Sequence, residues 1–279
     1  MYSSIRRKFD RGFILVTVLW MALGLLLGAS TLLSTVRSEV LVGRSEAGAI
    51  RAEVLARNAL ALALEELSRP PLKGQRSSPR DGRLAEFKFE NGRAQYRIWD
   101  EQGKVNLTKA PIEMLRPVLA RVGESLGFDA FTTSNLAERI VEERLEHPVL
   151  DTNVVHFMRR YGFIAEDEME LARFFTMFSF NARLNPRHAQ TELLEAIPGI
   201  GPTDIRTIIS RREARAAMPR LGSASKWLQE KNGPVYSIEA IGTDSDGMVK
   251  RMLVIVLAKN RSIVNSSVSF DLIDLDVVD

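Results

Sequence analysis

The sequence predicts an α+β fold in which a long N-terminal helix packs on an antiparallel sheet and a large all-helical domain is inserted between the strands. Three observations support this prediction. Residues 12–36 contain no charged side chain, which suits a helix in an apolar environment. Segments around 87–99 and 236–273 have the alternation and the β-branched content of strands. Between them, residues 105–231 place apolar side chains at helical spacing.

The composition narrows the classes of function. The 38 basic residues nearly balance the 35 acidic ones, so the chain lacks the cationic excess of a typical nucleic-acid-binding protein. With no cysteine, disulfides and thiol catalysis are excluded. The three histidines, His147, His156 and His188, lie far apart without a metal or nucleophile signature, and we expect them at the surface or in caps. The sequence predicts no enzyme activity and no required cofactor.

The N-terminal segment has the pattern of a membrane anchor. Four basic residues and one acid precede Gly12, and the uncharged run to Val36 is 25 residues long, enough to cross about 30 Å of hydrocarbon as a helix. Basic residues before a span favour a cytoplasmic N-terminus. We therefore predict a single-pass membrane protein whose remaining chain lies outside the cytoplasm.

The helix is predicted to continue well beyond the anchor. Residues 37–67 favour helix and contain no proline before Pro70, so one helix is expected from Phe13 to about Leu67. A set of apolar residues at helical spacing predicts the face that packs on the rest of the protein: Val36, Val40, Ala47, Ile50, Val54 and Ala61.

A hairpin and three later strands are expected to form the sheet. Residues 87–90 and 95–99 alternate apolar and polar side chains around Asn91-Gly92, a pair suited to the positive φ angles of a tight turn. Strand patterns return at 236–241, 252–257 and 268–273. Because residues in the middle read as helices, the strands of one sheet are predicted to be far apart in sequence.

The helical region contains an apparent repeat. The segment that begins Val105-Asn106 and ends at Leu115 aligns with the one that begins Leu184-Asn185 and ends at Leu194, with matching Asn, Ala, Glu and Leu. In each copy the asparagine is predicted to bond local backbone as a turn residue, and the leucine to begin an apolar helix face. Duplicated helical hairpins that pack together would explain the pattern.

Gly199-Ile200-Gly201 resembles the turn of a helix-hairpin-helix element. In DNA-binding proteins such a turn offers backbone N–H groups to a phosphate, and a cationic cluster follows it: Arg206, Arg211, Arg212, Arg215 and Arg220. The alternative is structural helix pairing, which the balanced charge and the lack of a second Gly-x-Gly favour. A membrane-anchored DNA receptor is therefore kept as the alternative function.

Asp244 and Asp246, in the sequence Asp-Ser-Asp-Gly, are candidate calcium ligands. The bidentate glutamate of an EF-hand does not follow them. Between two predicted strands, the same residues are also expected simply as turn formers.

Residues 11–20, from Arg11-Gly12-Phe13 to Trp20, resemble the class III leader of type IV pilins and type II secretion pseudopilins. The resemblance implies cleavage by a prepilin peptidase between Gly12 and Phe13, followed by N-methylation of Phe13. At the fifth mature position, where most pilins have glutamate, this sequence has Thr17. That absence, together with a helical insertion between strands, is typical of the K-type minor pseudopilins.

Membership of the K-type family would imply a minor pseudopilin at the tip of the pseudopilus that initiates or caps the fibre for protein secretion across the outer membrane. The expected partners are other minor pseudopilins, the prepilin peptidase and the inner-membrane secretion platform, with no nucleic acid. The location would be the bacterial inner membrane, with the C-terminal domain periplasmic. A minor pilin of a type IV pilus is a second alternative. The predicted segments are a leader at 1–12, the helix at 13–69, the first sheet part at 70–103, the helical insertion at 104–231 and the second sheet part at 232–279.

Overall fold

The computed structural model describes residues 6–69, 79–127, 130–146, 154–163, 168–258 and 270–278. The chain divides into two compact units, residues 1–51 and 52–279. The boundary between the units coincides with none of the predicted segment limits, and the limits of the leader and of the insertion stay predictions. Residues 70–78, together with Val268, Ser269 and His147, lie outside the described residues.

Helix α1 spans Arg6–Ser68 and contributes residues to both units. Its C-terminal end confirms the predicted limit near Leu67. The last turn closes when the N–H of Arg69 donates to the carbonyls of Glu65 and Glu66, at 3.2 and 3.3 Å. Two prolines follow at 70 and 71, which could not have continued the helical ladder. The N-terminal end begins earlier than predicted, inside the expected leader.

The predicted packing face of α1 is wrong within residues 50–61. Ile50 and Val54 are 63% and 52% exposed, whereas Ala52, Ala56, Ala59 and Ala63 are fully buried. Small residues face the sheet because the helix approaches it closely.

A Cβ atom added at Gly242 would collide with main-chain atoms of Ala52 and Ala56. Side chains as large as valine or isoleucine would hold the helix away from the strand at that point. Close approach of two backbones therefore decided which face of α1 is buried.

The described strands are β1 Ala85–Phe89, β2 Gly92–Asp100, β3 Val105–Asn106, β4 Phe175–Thr176, β5 Val235–Asp244, β6 Val249–Ala258 and β7 Phe270–Val278. Five of them form one antiparallel sheet in the order β1-β2-β5-β6-β7. This arrangement confirms the predicted α+β class and the pairing of strands from distant parts of the sequence. Alternate residues of β2, β5 and β6 pack on α1, among them Tyr96, Ile98, Ile238 and Val254.

The β1–β2 turn differs by one residue from the prediction. Phe89 pairs with Gly92, so the two-residue loop is Glu90-Asn91. Gly92 has φ +142°, and Arg215 is the one non-glycine residue with positive φ within the described ranges. The positive φ expected at Asn91 is therefore absent, and only the glycine adopts it.

Between β2 and β5 lie helices α2 Ile112–Ser125, α3 Ala130–Glu146, α4 Val154–Arg159, α5 Glu168–Phe174, α6 Thr191–Ala196 and α7 Pro202–Glu213. They share an apolar core that includes Met114, Leu119, Phe157, Leu194 and Ile208. The described residues of the insertion also contain the two-residue parallel pair β3–β4 and an isolated parallel bridge between Leu184 and Leu228. The insertion is thus a layer with a core of its own.

The repeat prediction is confirmed at the level of the turn. Asn106 Oδ1 accepts the N–H of Thr108 at 2.8 Å, and Asn185 Oδ1 accepts the N–H of Arg187 at 3.0 Å. The backbone carbonyls of both asparagines accept from the alanine four residues later. The buried pairs Met114-Leu115 and Leu193-Leu194 then begin the apolar faces of α2 and α6.

Candidate functional site

The first part of α1 presents an unbroken apolar surface. Phe13, Leu15, Trp20 and Leu25 are 66 to 75% exposed. Among the described residues, one helix, Phe13–Ser68, is long and apolar enough to cross a membrane. So much exposed apolar side chain is unfavourable in water and calls for lipid or for other helices.

The predicted leader junction lies inside α1. Phe13 is 72% exposed. The side chains of residues 6–12 are not among those that the structure describes. Thr17 Oγ1 donates to the carbonyls of Phe13 and Ile14, both at 2.9 Å. The Thr17 hydroxyl is thus satisfied within its own helix and requires no charged partner in an apolar surrounding. Cleavage after Gly12 and methylation of Phe13 stay predictions.

Asp244 and Asp246 lie in the turn between β5 and β6. Asp244 is buried, and its Oδ1 accepts the N–H groups of Asp246 and Met248 at 3.0 and 2.8 Å. Gly247 has φ +87°. These contacts are those of turn formers. No group of three or more acidic or histidine side chains placed to hold a metal occurs in the described part of the chain, and calcium binding stays a prediction.

The Gly-Ile-Gly turn joins α6 to α7, and its backbone groups contact other residues of the protein. Gly201 N–H donates to Asp204 Oδ2 at 3.0 Å, which closes a capping interaction at the start of α7. Gly199, with φ +84°, lies close to Ser223 Oγ. The N–H of Ile200 donates to the carbonyl of Ile197 at 3.3 Å. Two N–H groups that would meet a phosphate are therefore already bonded, as the helix-pairing interpretation expects.

The arginines after that turn do not form one cationic face. Arg212 is 2% exposed, and its Nε donates to the carbonyl of Pro186 at 2.8 Å. Burial is the main reason why its pKa falls to about 10. Arg206 and Arg211 are exposed. The member at the centre of the cluster is thus a core residue that fixes α7 to the second repeat turn.

A buried polar contact, which no sequence motif indicated, joins the sheet to the insertion. We call it the polar seam and define it by Arg80, Asp100, His188 and Asn232. His188 Nδ1 accepts the backbone N–H of Arg80 at 3.0 Å, and its Nε2 lies 3.0 Å from Asn232 Oδ1. At 2% exposure, His188 is neither a surface nor an exposed capping residue, so that prediction is wrong.

Burial shifts the pKa values of His188 and Asp100, both in the polar seam, toward their uncharged forms. It lowers the pKa of His188 to about 3 and raises the pKa of Asp100 to about 7. Because Nδ1 accepts a hydrogen bond, Nε2 of the neutral imidazole carries the proton and donates to Asn232. His188 Nε2 and Asp100 Oδ2 lie 3.6 Å apart, and burial disfavours the charge on each of them.

Asp100 joins the end of β2 to the segment that precedes β5 through its carboxyl group. Its Oδ1 accepts the N–H of Gln102 at 2.9 Å, and both oxygens lie 3.3 Å from the N–H of Gly233. Next to it, the buried Lys104 Nζ lies 2.6 Å from Glu101 Oε1 and also donates to Ser237 Oγ at 2.6 Å. These contacts hold the start and the end of the insertion to β5.

The seam could not be found from sequence patterns. His188 occupies the repeat position that Lys109 has in the first copy, and a lone histidine without spacing to a second ligand has no recognisable signature. The signal that was available is the repeat itself, because both asparagine turns proved to be buried. A residue that follows a buried turn is a candidate for burial.

Neither a family model nor a curated protein matches the sequence. The structure does match one chain of the crystal structure of the GspK-GspI-GspJ complex from the enterotoxigenic Escherichia coli type 2 secretion system. That match has 14% sequence identity and a TM-score of 0.53, and it covers 88% of this chain and 99% of the other. The two chains therefore share a fold: a long N-terminal helix, an antiparallel sheet and further helices.

Proposed function

We propose that this protein is a K-type minor pseudopilin that acts by assembly at the tip of a type II secretion pseudopilus. The observation that supports this most is the fold match, which extends over nearly the full length of a chain from a minor pseudopilin complex. The helical insertion between β2 and β5 and the threonine at position 17 support the K type in particular.

In this proposal α1 works first as an inner-membrane anchor and then as an assembly helix. Its exposed apolar surface (residues 13–36) would move from lipid into contact with the helices of other minor pseudopilins. Thr17 needs no partner charge, unlike the buried carboxylate found at this position in most pilins. A subunit without this carboxylate cannot neutralise the N-terminal ammonium of a neighbouring subunit. Such a subunit suits the first position of a fibre.

The insertion would act as the bulky end of the fibre. The polar seam and the Lys104–Glu101 pair fix it to the sheet, so that it would move with the sheet as one body in assembly. We propose that this bulk prevents the addition of subunits above it, which makes the protein a cap or an initiator.

Processing is the first test. The full chain is co-expressed with and without a prepilin peptidase, and its intact mass and N-terminus are determined. We expect peptidase-dependent loss of residues 1–12 and a methylated Phe13. The matched control is Gly12→Leu, which should remain uncut because the cleavage site is blocked. An intact Met1 terminus while a control pilin is cleaved would exclude the pseudopilin proposal.

Partner binding is the second test. The cleaved chain is co-purified with the other minor pseudopilins of the same system, and we expect a stoichiometric complex. The variant Thr17→Glu should give less complex, because an unpaired carboxylate in an apolar helix bundle is unfavourable. Equal recovery of both forms would show that position 17 does not set the place of this subunit.

Calcium binding at Asp244 and Asp246 remains a secondary proposal. Titration of the full chain with calcium, followed calorimetrically, should give a signal that Asp246→Asn removes. Asp246 is the better choice for substitution, because Asp244 holds the turn. Absence of a signal at millimolar calcium would leave these residues as turn formers only.

A further inference from the structure

Among the described residues, strand β1 lies at one edge of the five-stranded sheet, with no strand paired on its outer side. Its residues 86–89 are exposed, and Phe87 and Phe89 are 39% and 44% exposed. Edge strands offer unpaired N–H and C=O groups to another strand, and natural proteins usually shield them. An exposed edge with two aromatic side chains is therefore a candidate interaction surface.

The pairing of β1 with β2 fixes which backbone groups point outward. Phe89 and Gly92 close the two-residue hairpin loop and are a hydrogen-bonded pair, and Phe87 with Ala94 is the next one. Glu86 and Lys88 alternate with them, so their N–H and C=O groups point away from β2. A second strand on this edge would form its hydrogen bonds with Glu86 and Lys88.

The charges along this edge are complementary to those of a second β1 strand that runs antiparallel to the first. In an antiparallel pair of two β1 strands centred on Phe87, Glu86 of one copy lies opposite Lys88 of the second copy, and the reverse pair forms as well. Both of these are the outward-pointing residues, so the register satisfies the hydrogen-bond pattern. Centring the pair on Lys88 or on Glu86 would instead place like charges opposite each other.

Lys88 lacks a charge partner that this pairing supplies. It lies opposite Arg93 of β2, a like charge, and it has no ion-pair partner among the described residues, whereas Glu86 accepts a hydrogen bond from Gln95 Nε2 at 2.6 Å. Phe87 stacks on Tyr96 with ring centroids 5.9 Å apart. In the Phe87-centred register the two Phe87 rings would be direct cross-strand neighbours, which is a favourable aromatic pair.

We propose that β1 is a self-association site that takes a second copy of this chain, edge to edge and antiparallel, in the register centred on Phe87. The product is a continuous ten-stranded sheet with two Glu86–Lys88 pairs across the junction. The site is independent of the anchor and of the secretion role.

The test is a charge-swap series on the full chain in detergent micelles, with self-association measured by sedimentation velocity at low salt. E86K and K88E each turn two attractive cross-strand pairs into two repulsive ones, and we expect self-association to weaken by roughly 10- to 100-fold. An equimolar mixture of E86K and K88E should recover it, because each variant then meets opposite charges. The matched control is E90K, whose position lies opposite Leu84 in this register, and it should associate like the unmodified chain.

Two results would overturn the proposal. One is a monomeric unmodified chain at roughly 100 μM, a concentration at which weak specific interfaces are populated. The other is a dimer that E86K and K88E leave unchanged, which would assign the association to α1 or to another surface. Circular dichroism of each variant verifies that loss of association does not come from loss of fold. Disulfide cross-linking gives a second measurement. Because the chain contains no cysteine, a variant carrying Phe87→Cys should form a disulfide only between the introduced cysteines of two copies.

Discussion

The turns at Asn106 and Asn185 have the same backbone hydrogen bonds and different surroundings. After Asn106 come Thr108, whose hydroxyl bonds Asn106 itself, and Lys109, which reaches the carbonyls of Ser179 and Phe180. At the matching positions the second copy has Arg187 and His188, 1% and 2% exposed. The asparagine sets the turn, and the two residues after Leu107 or Pro186 decide what the turn is attached to.

The second turn links the insertion to the sheet through His188, which contacts Arg80 and Asn232, while the first turn stays within the insertion. Arg187 makes its contacts inside the insertion, since its Nη2 lies 2.6 Å from Glu230 Oε1 and 2.5 Å from the carbonyl of Ala216. The two copies of the motif form the same turn, and their different contacts come from side chains that do not form it.

The largest expected effect comes from removing Arg187. Arg187→Met removes the guanidinium partner of Glu230. Breaking a buried ion pair typically lowers the free energy of unfolding by about 3–5 kcal/mol, and we expect the lower end of that range because Glu230 is 22% exposed. The matched change in the first turn, Thr108→Ala, should lower it by no more than about 1 kcal/mol. Urea unfolding of the full chain in micelles, followed by tryptophan fluorescence, measures both. Equal losses would contradict the distinction between the two turns.

The second effect is a pH dependence at the polar seam, where the second turn meets β2. A carboxyl whose pKa rises from 3.8 to about 7 makes the folded state less stable as pH increases from about 4 to 7. A histidine whose pKa falls from 6.5 to about 3 makes it less stable as pH decreases from about 6.5 to 3. The two slopes oppose each other between about pH 4 and 6.5.

Substitutions should separate these slopes. Between pH 4.5 and 6.5, Asp100→Asn should become more stable as pH rises, and His188→Gln should become less stable, by up to about 1 kcal/mol per pH unit. The unmodified chain should vary less than either variant. Unfolding midpoints at four pH values test this, and parallel profiles for the three proteins would show that the polar seam does not titrate as described.

A comparable effect is expected at the two asparagines. Asn106→Ala removes the acceptor of the partly buried N–H of Thr108, and Asn185→Ala removes that of the buried N–H of Arg187. Each substitution should lower the free energy of unfolding by about 1–3 kcal/mol. The same unfolding measurement applies. A loss at one site more than twice that at the other would mean that the turns are not equivalent.

The smallest effect is expected at Lys109. Lys109→Ala removes contacts to the carbonyls of Ser179 and of the exposed Phe180, and such partly exposed contacts contribute about 0.5 kcal/mol. A loss comparable with that of His188→Gln would show that the first turn is also a point of attachment.

Much of the fold followed from short-range patterns. The hairpin, the strands β5 to β7, the end of α1 and both asparagine turns depend on residues within a few positions of one another, and their periodicity and turn chemistry predicted them. The error at Asn91 was a shift of one residue, because the pattern locates a tight turn but does not decide which residue takes the positive φ.

Composition and local periodicity were enough to predict the apolar N-terminal helix, the order of the elements and the class of the fold. They could not predict that alanines of α1 face the sheet, that Arg212 lies in the core, or that His188 meets Asp100 at a buried contact. Those outcomes depend on how closely backbones approach and on which polar groups lose water together. Both are set by residues far apart in sequence, so no local pattern records them.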